Sequence, residues 1–500
     1  MGIDIGQGGV KAAVFDRSGY LLSRSYEEYP TLLPAPRFAE IDSLKVIESA
    51  FNVIRKAALA VRKKDPIIAI GIASCGESFT PVSRKGEFLA NAMTAADFRA
   101  QSFVDPWTER LGRKSLYQTT GHTPYHMYSI FKTLWLKEKK PAVWGKVWKF
   151  LFCADLLSYC LTGEAVSDYT LASRSMIFDV NKKRWSPEIL KKIGLSEERL
   201  PDVFPSGRPA GTLRPEIADK LGLNKKTIVV VGGHDQPCGG LGVGAAEPGW
   251  AGYSVGTAEC ICPAFDHLVL NKQLMDSNLA MYPHVIPDTY TTVAFSLNGG
   301  NVLKWVRDNL ALEEVREALK KKKDPYEVII RNAAPEPSKL VLVPHFCPTG
   351  TPFFDQQATG ILFGLTLSTT RPEIWRAFLE GITLEMKWNL AILETAGLKM
   401  EELRVHGGGA QSEIWMQIKA DILGVPLTTM RVTEATCMGA ALLAGGGAGL
   451  FDPGKMSRKW ARPIRVFRPR SKFTAFYDKR FSIYKKIYIS LVSAKESLRT

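Results

Sequence analysis

Short apolar runs and glycine-rich breaks alternate along the chain. Residues 3–5, 10–16 and 20–28 run apolar or alternate with polar positions, and residues 6–9 and Ser18-Gly19 separate them. A period of two with tight glycine turns predicts an antiparallel meander. Asp42 and Ser43 can cap a helix that runs to about Lys64, with Val46, Ile47, Ala50, Val53 and Ile54 along its apolar face. Residues 67–73 read as a buried strand ending at Ser74-Cys75-Gly76-Glu77. Helices are predicted over residues 100–112, 129–139 and 154–161, and residues 164–212 are turn-rich and irregular.

The pattern is sharpest over residues 228–263. Ile228-Val229-Val230-Val231 is a β-branched run and predicts a buried strand. It breaks at Gly232-Gly233, and Asp235 follows. The small residues 239–246 suit a tightly packed helix, and a second strand leads to Gly256-Thr257. An acid at the carboxyl end of a buried strand, beside glycines that admit a ligand, is where an open α/β sheet places its chemistry. Further on, strands near 251–262 and 291–297 precede Asn298-Gly299-Gly300-Asn301. A helix with Trp305, two charged helices to about Ala333 and a strand at 340–343 come next. A long helix over 371–395 opens with Arg371-Pro372, proline being tolerated in a first turn. Residues 403–406 form a strand ending at Gly407-Gly408-Gly409, and helices cover 412–423 and 434–444. The last helix, 472–497, carries Phe473, Phe476, Tyr477, Phe481, Tyr484 and Ile487 on one side and is expected to dock on the second half of the chain.

A chain of 500 residues exceeds one hydrophobic core. Two domains are expected, 1–247 and 248–500, with the boundary near Glu247-Pro248-Gly249. Each opens with a hairpin around a glycine turn, though no strict repeat is visible. Hydrophobic content of 45% and charged content of 23% are ordinary for a globular protein. No apolar run reaches the length of a membrane span, and the strand-like opening is unlike a secretory signal, so a cytoplasmic protein is expected. The eight cysteines are scattered and read as reduced packing residues; Cys260-x-Cys262 lacks a second ligand pair for zinc. The net charge of +15 is read as a solvated basic surface, not as nucleic-acid binding. Its basic runs at 62–64, 137–140 and 320–323 fall at helix ends, where cations suit the helix dipole.

Four glycine clusters end strands, at residues 6–9, 232–233, 299–300 and 407–409. Together they suggest a cleft in which backbone N–H groups meet phosphates from several sides. Neither G-x-x-x-x-G-K-[ST] nor G-x-G-x-x-G occurs there, so a P-loop and a dinucleotide fingerprint are unsupported. Phosphoryl transfer needs a metal held by carboxylates, donors around the phosphates and a base for the attacking hydroxyl. Asp4, before the first glycine turn, suits the metal, because magnesium takes only one or two carboxylates. Asp235 suits the base, with room for a hydroxyl beside Gln236.

In order along residues 1–450, the motifs resemble the FGGY family of carbohydrate kinases, the xylulose, ribulose, gluconate and glycerol kinases. The matching stretches are Gly2-Ile3-Asp4-Ile5-Gly6 with Lys11; Asp97-x-Arg99; Asp155-Leu156-Leu157 with Leu161-Thr162-Gly163; and Gly232-Gly233-His234-Asp235-Gln236. Then come Ser254-Val255-Gly256-Thr257, Gly299-Gly300 with Trp305, Gly360-x-x-x-Gly364-Leu365, Gly407-Gly408-Gly409-Ala410 with Ser412 and Trp415, and Glu434-Ala435 with Gly439-Ala440-Ala441. The resemblance implies an α/β actin-like ATPase (ribonuclease H-like) fold, two α/β domains with a cleft between, with ATP mostly on the second and sugar on the first. It implies Asp235 as catalytic base, and Asp4 with Asp235 as the magnesium carboxylates. Gly6, Gln7, Lys11, Gly256, Thr257, Gly300, Gly408, Gly409 and Ala410 fall at nucleotide positions. Glu77, Asp97 and Gln236 fall on or beside sugar positions, and Tyr125 or Tyr128 matches an aromatic near the sugar. A ketose or polyol kinase, xylulokinase-like, is expected, with ATP and Mg2+, a small-molecule partner and a homodimer as the assembly. Glycerol kinase-type activity and a non-catalytic regulator of the same fold are the alternatives.

The chain departs from the family in places. Gln7-Gly8-Gly9 stands where the first loop usually carries hydroxyl residues, and Gly76-Glu77 where glycerol kinases resemble Arg-Glu. Alanines precede Asp97 where those kinases have a tryptophan, and the xylulose-kinase Met-His pair is absent. Losing an arginine and an aromatic wall is expected to enlarge the sugar site.

Overall fold

The computed structural model describes residues 1–61, 66–432 and 434–497, leaving aside the side chains of 495–497. The basic run 62–64 and the far end of the helix predicted to Lys64 lie outside the described residues.

In the first half, strands β1 (Gly2–Ile5), β2 (Gly9–Phe15) and β3 (Leu21–Glu28) form the predicted meander. Helix α1 (Ser43–Leu59) follows, its Asp42 cap accepting from the N–H groups of Leu44 and Lys45 at 2.9 and 3.2 Å. Strand β4 (Ala69–Ser74) is buried throughout. Helices α2 (Ser129–Lys139), α3 (Cys153–Thr162) and the short α4 (Tyr169–Ser173) lead to β5 (Pro209–Thr212), β6 (Ile228–His234) and α5 (Asp235–Gly242). The six strands lie in the order β5-β6-β4-β1-β2-β3, with β6, β4 and β1 parallel. Parallel strands covered on both faces read as continuous apolar runs, which is why β4 and β6 were legible.

The second half repeats this wiring. Strands β7 (Trp250–Val255), β8 (Glu259–Pro263) and β9 (Ala294–Ser296) form its meander, and α6 (Gly300–Asn309) and the long α7 (Arg371–Thr395) follow. Next come β10 (Glu402–His406), α8 (Glu413–Leu423), β11 (Leu427–Met430), α9 (Ala435–Gly447), β12 (Pro463–Phe467) and α10 (Ser471–Ser497). The order β9-β8-β7-β10-β11-β12 repeats the spatial order and the parallel and antiparallel pairings of the first sheet, except that the edge strand β12 follows its neighbour β11 in the chain whereas β5 precedes β6. As predicted, α10 buries Phe473, Tyr477, Phe481 and Tyr484 in the core of this half.

Helices α5 and α9 join the halves at backbone contact. A Cβ on Gly242 would stand 1.9 Å from the Ala435 carbonyl oxygen, and one on Gly439 would stand 1.8 Å from that of Cys238. Only glycine permits such an approach. Cys238, Leu241, Met438, Ala440 and Leu442 fill the core around this crossing.

Three local expectations change. The helix after β6 starts at Asp235, not at residue 239. Gly232-Gly233 does not break the strand but lies inside β6, where the register against β4 shifts and a Cβ on Gly232 would meet the Ile72 carbonyl oxygen at 1.9 Å. Those glycines serve close packing, which sequence pattern cannot distinguish from a turn. Residues 164–212 hold several short ordered elements, among them α4 and a helix at Pro187–Ile193, too brief to show a period.

Candidate active site

The strand ends of the first sheet gather acids. Asp235 is the first residue of α5, and its side chain keeps 22% exposure. His234 Nε2 lies 3.2 Å from Asp235 Oδ1, and its Nδ1 lies 3.1 Å from the Tyr282 hydroxyl. Burial holds His234 well below the usual histidine range, so the ring is neutral. Burial, with the charges of Asp4 and Glu77, pushes Asp235 up to about 8. Burial likewise pushes Asp4 up to about 6, against the pull of Lys11.

The charge of Asp4 adds to the rise at Asp235, and that of Glu434 to the rise at Asp4. Among the described residues no group of three or more His, Cys, Asp or Glu side chains could hold a metal.

The first glycine turn is built to leave amides free. The Tyr29 hydroxyl donates to the Gly6 carbonyl at 2.6 Å, the Tyr29 N–H donates to the Gly8 carbonyl at 3.2 Å, and Gly6 N–H donates to the Gly9 carbonyl at 2.9 Å. The N–H groups of Gln7 and Gly8 find no acceptor among the described residues. Backbone donors thus stand where the family's hydroxyl side chains are missing. Lys11 is engaged elsewhere, 3.2 Å from Glu434 Oε2, while Arg24 holds Oε1 at 3.2 Å. Glu434 caps α9, so Lys11 ties the hairpin of the first half to a helix of the second.

On the second sheet the β7–β8 hairpin places Gly256 half-buried and Thr257 exposed. The N-terminus of α6 docks on it, Gly300 N–H donating to the Gly256 carbonyl at 2.9 Å and Asn301 N–H to the Thr257 carbonyl at 3.1 Å. Gly408, Gly409 and Ala410 form a short turn after β10, with Gly408 open to solvent. Beneath the hairpin lies a pair that sequence reasoning missed. Lys419 Nζ, fully buried on α8, lies 2.6 and 2.8 Å from the Glu259 carboxylate oxygens and 3.0 Å from the Tyr253 hydroxyl.

The expected sugar residues divide. Glu77 is buried beside the acids, in a left-handed backbone conformation (φ 60°). Gln236 follows Asp235 at the mouth of α5 and is half-buried. Asp97 is fully buried, and its carboxylate is taken by the Arg99 guanidinium at 2.7–3.0 Å and the Ala39 N–H at 2.7 Å. The Tyr125 ring stacks on Phe354 of the second half, centroids 4.3 Å apart. Tyr128 is buried against Arg174.

Arg174, at the end of α4, is the main residue the sequence reading missed. Its Nε donates to Glu77 Oε1 at 2.5 Å, Nη2 is ion-paired with the same oxygen, and Nη1 lies 3.3 Å from His122 Nε2. The rings of Tyr128 and Tyr282 stand 5.2 and 5.7 Å from the guanidinium. The one available signal was a lone arginine among small and apolar residues, Leu171 to Ile177. It corrects the expectation of an enlarged site. A Cβ on Gly76 would stand 2.9 Å from Arg174 Cγ, so Arg174 occupies the space that the missing side chain leaves. Tyr128 and Tyr282 supply aromatic walls.

The N-terminal domain of the FGGY family of carbohydrate kinases matches residues 1–242 and the C-terminal domain matches residues 251–448. The xylulose kinase of Staphylococcus xylosus is 26% identical over 489 residues, 98% of this chain and 99% of that protein. The glycerol kinase of Halorhodospira halophila is 29% identical over 492 residues, 94% and 92% of the two chains. The structure of ligand-bound xylulose kinase from Lactobacillus acidophilus superposes with a TM-score of 0.91 at 25% identity, covering 99% of each chain. The gluconate kinase from the same organism has the same TM-score, identity and coverage. With two six-stranded sheets of the same spatial order and pairing, and both family domains matched in sequence, the chain belongs to the FGGY family of carbohydrate kinases.

Proposed function

We propose that this carbohydrate kinase transfers the γ-phosphoryl group of ATP to a hydroxyl of a ketose or polyol, with xylulose the leading candidate. The observation that carries the reading is Asp235, raised to about 8 and partly exposed where the acid-bearing strand ends meet the second sheet. A base near neutrality matches proton removal at working pH. The sugar binds against Glu77 and Gln236, with Asp97 holding Arg99 and the neighbouring loop in place and Tyr125 closing the side toward Phe354. The hydroxyl oxygen attacks the γ-phosphorus, the bond to the β–γ bridging oxygen breaks, ADP leaves, and the hydroxyl proton passes to Asp235. The free amides of Gln7 and Gly8, with Gly6, Gly256, Thr257, Gly300, Gly408, Gly409 and Ala410, surround the nucleotide. Lys11 anchors the first hairpin through Glu434. Magnesium, held by Asp4 and Asp235, would neutralise phosphate charge.

Relatives named xylulose kinase over nearly the whole length favour a ketose. The eight free cysteines suit a reducing, cytoplasmic setting. The test is ADP release across ketoses, polyols and aldonates, with and without Mg2+. Magnesium-dependent turnover of a ketose or polyol supports the reading. ATP binding without turnover of any member would assign the chain to a non-catalytic regulator instead.

A further inference from the structure

The notable feature of the sugar side is where its cation comes from. Gly76 precedes Glu77 at the end of β4, and Arg174 reaches into the same place from α4, 97 residues along the chain. The fit is close enough that even a methyl group at residue 76 would press on Arg174 Cγ at 2.9 Å. Both Nε and Nη2 go to Glu77 Oε1, leaving Oε2 without a partner among the described residues. The third nitrogen faces His122, and two tyrosine rings cover the flanks. The guanidinium is therefore spent on Glu77 and does not offer a free positive charge.

We propose that Arg174, clamped to Glu77, is a specificity-determining residue that restricts the sugar site to uncharged polyols and ketoses and rejects aldonates. The inference rests on the reading of this cleft as a sugar-kinase site. An uncharged sugar can donate a hydroxyl hydrogen to Glu77 Oε2. A sugar acid must bring its carboxylate toward the Glu77 carboxylate, while both nearby cations are already engaged: Arg174 with Glu77 Oε1, and the buried Lys132 ammonium with the Glu77 and Met93 carbonyl oxygens at 3.0 and 3.2 Å. Like charges in a poorly solvated site repel strongly, and discrimination by repulsion is an efficient route to specificity. The arrangement also holds the Oε1 side of Glu77 rigid, so that one oxygen remains directed to the ligand.

The test compares kcat/KM for xylulose, xylitol and glycerol with kcat/KM for gluconate and arabinonate. Glu77→Gln removes one negative charge and releases the guanidinium, so the aldonate-to-neutral ratio should rise at least tenfold. Arg174→Met should lower kcat/KM for the best neutral sugar about a hundredfold or more, chiefly through KM, with ADP affinity within twofold of wild type. Because Arg174→Met leaves a buried carboxylate unpaired and can unfold locally, Gly76→Ala provides a milder probe. It should raise sugar KM severalfold and leave ATP KM unchanged. An unaltered aldonate-to-neutral ratio in Glu77→Gln, or a wild type that prefers gluconate, overturns the inference while leaving the kinase reading intact. A wild type that turns over no member of the panel with Mg-ATP sinks the kinase reading itself.

Discussion

The two sheets share one wiring and differ in what stands at their strand ends. In β1, Gly2-Ile3-Asp4-Ile5-Gly6 places Asp4 opposite Lys11 on β2. In β7, Gly252-Tyr253-Ser254-Val255-Gly256 places Ser254 opposite Cys260 on β8. β4 ends at Gly76-Glu77, and its counterpart β10 ends at Gly407-Gly408-Gly409. β6 ends at Asp235, whereas β11 runs into Arg431. The strand ends of the first sheet thus carry the carboxylates, with the free amides of Gln7 and Gly8 beside them, and those of the second carry glycines and small residues. The architecture only positions these ends, and under the proposed function a few residues there distinguish a sugar side from a phosphate side. The hairpins are braced differently too. Tyr29 ties down the carbonyls of the first, and the buried Glu259–Lys419 pair supports the second.

The comparison breaks most visibly at Asp235. Asp235→Ala should cut turnover by about a hundredfold to ten-thousandfold with ADP affinity retained. Single-turnover kinetics that stay near wild type would remove the acid edge from the mechanism. Next in size is the brace of the amide edge. Lys419→Met strands Glu259 in the core, which costs about 3–5 kcal/mol. A lowered Tm with a raised ATP KM is expected, and the Glu259→Gln/Lys419→Met double variant should recover much of the stability. Equal changes in sugar and ATP KM would show that the pair supports the whole half and not the hairpin.

The acid edge also carries a stability cost. Asp235 sits at about 8 when folded, above the value of about 4 for an unfolded chain. Between those pH values the unfolded chain gives up a proton that the folded protein keeps, so this group's contribution to stability falls as pH rises. Asp235→Asn should therefore stabilise the ligand-free protein at pH 8 relative to pH 4, by about 1–2 kcal/mol given the partial exposure of the side chain. Thermal melts of both proteins across that range check it, and a difference that stays constant with pH would contradict it. The smallest effect concerns the first hairpin. Tyr29→Phe loses one hydrogen bond to Gly6, about 1 kcal/mol, and should raise ATP KM severalfold without moving sugar KM.

Much of this was readable along the chain. The apolar runs of β4 and β6, the cap at Asp42, the glycine turn of each hairpin and the aromatic stripe of α10 are local patterns, set by residues within a few positions of one another. Asp4 and Asp235 stood out as candidates because an acid beside glycines at a strand end is itself a local signal. The start of α5 at Asp235 was less legible, since glycines packed against β4 look the same in sequence as glycines in a turn.

What the sequence determined by itself was therefore the longer helices and buried strands and the two-domain α/β fold, because period and capping are short-range properties. Tertiary structure alone decided that Arg174 fills the place vacated at Gly76, that Lys419 meets Glu259 across 160 residues, and that α9 crosses to the first sheet. Those contacts depend on how two sheets close on each other, and the balance of burial and charge that makes them exists only once the chain has folded.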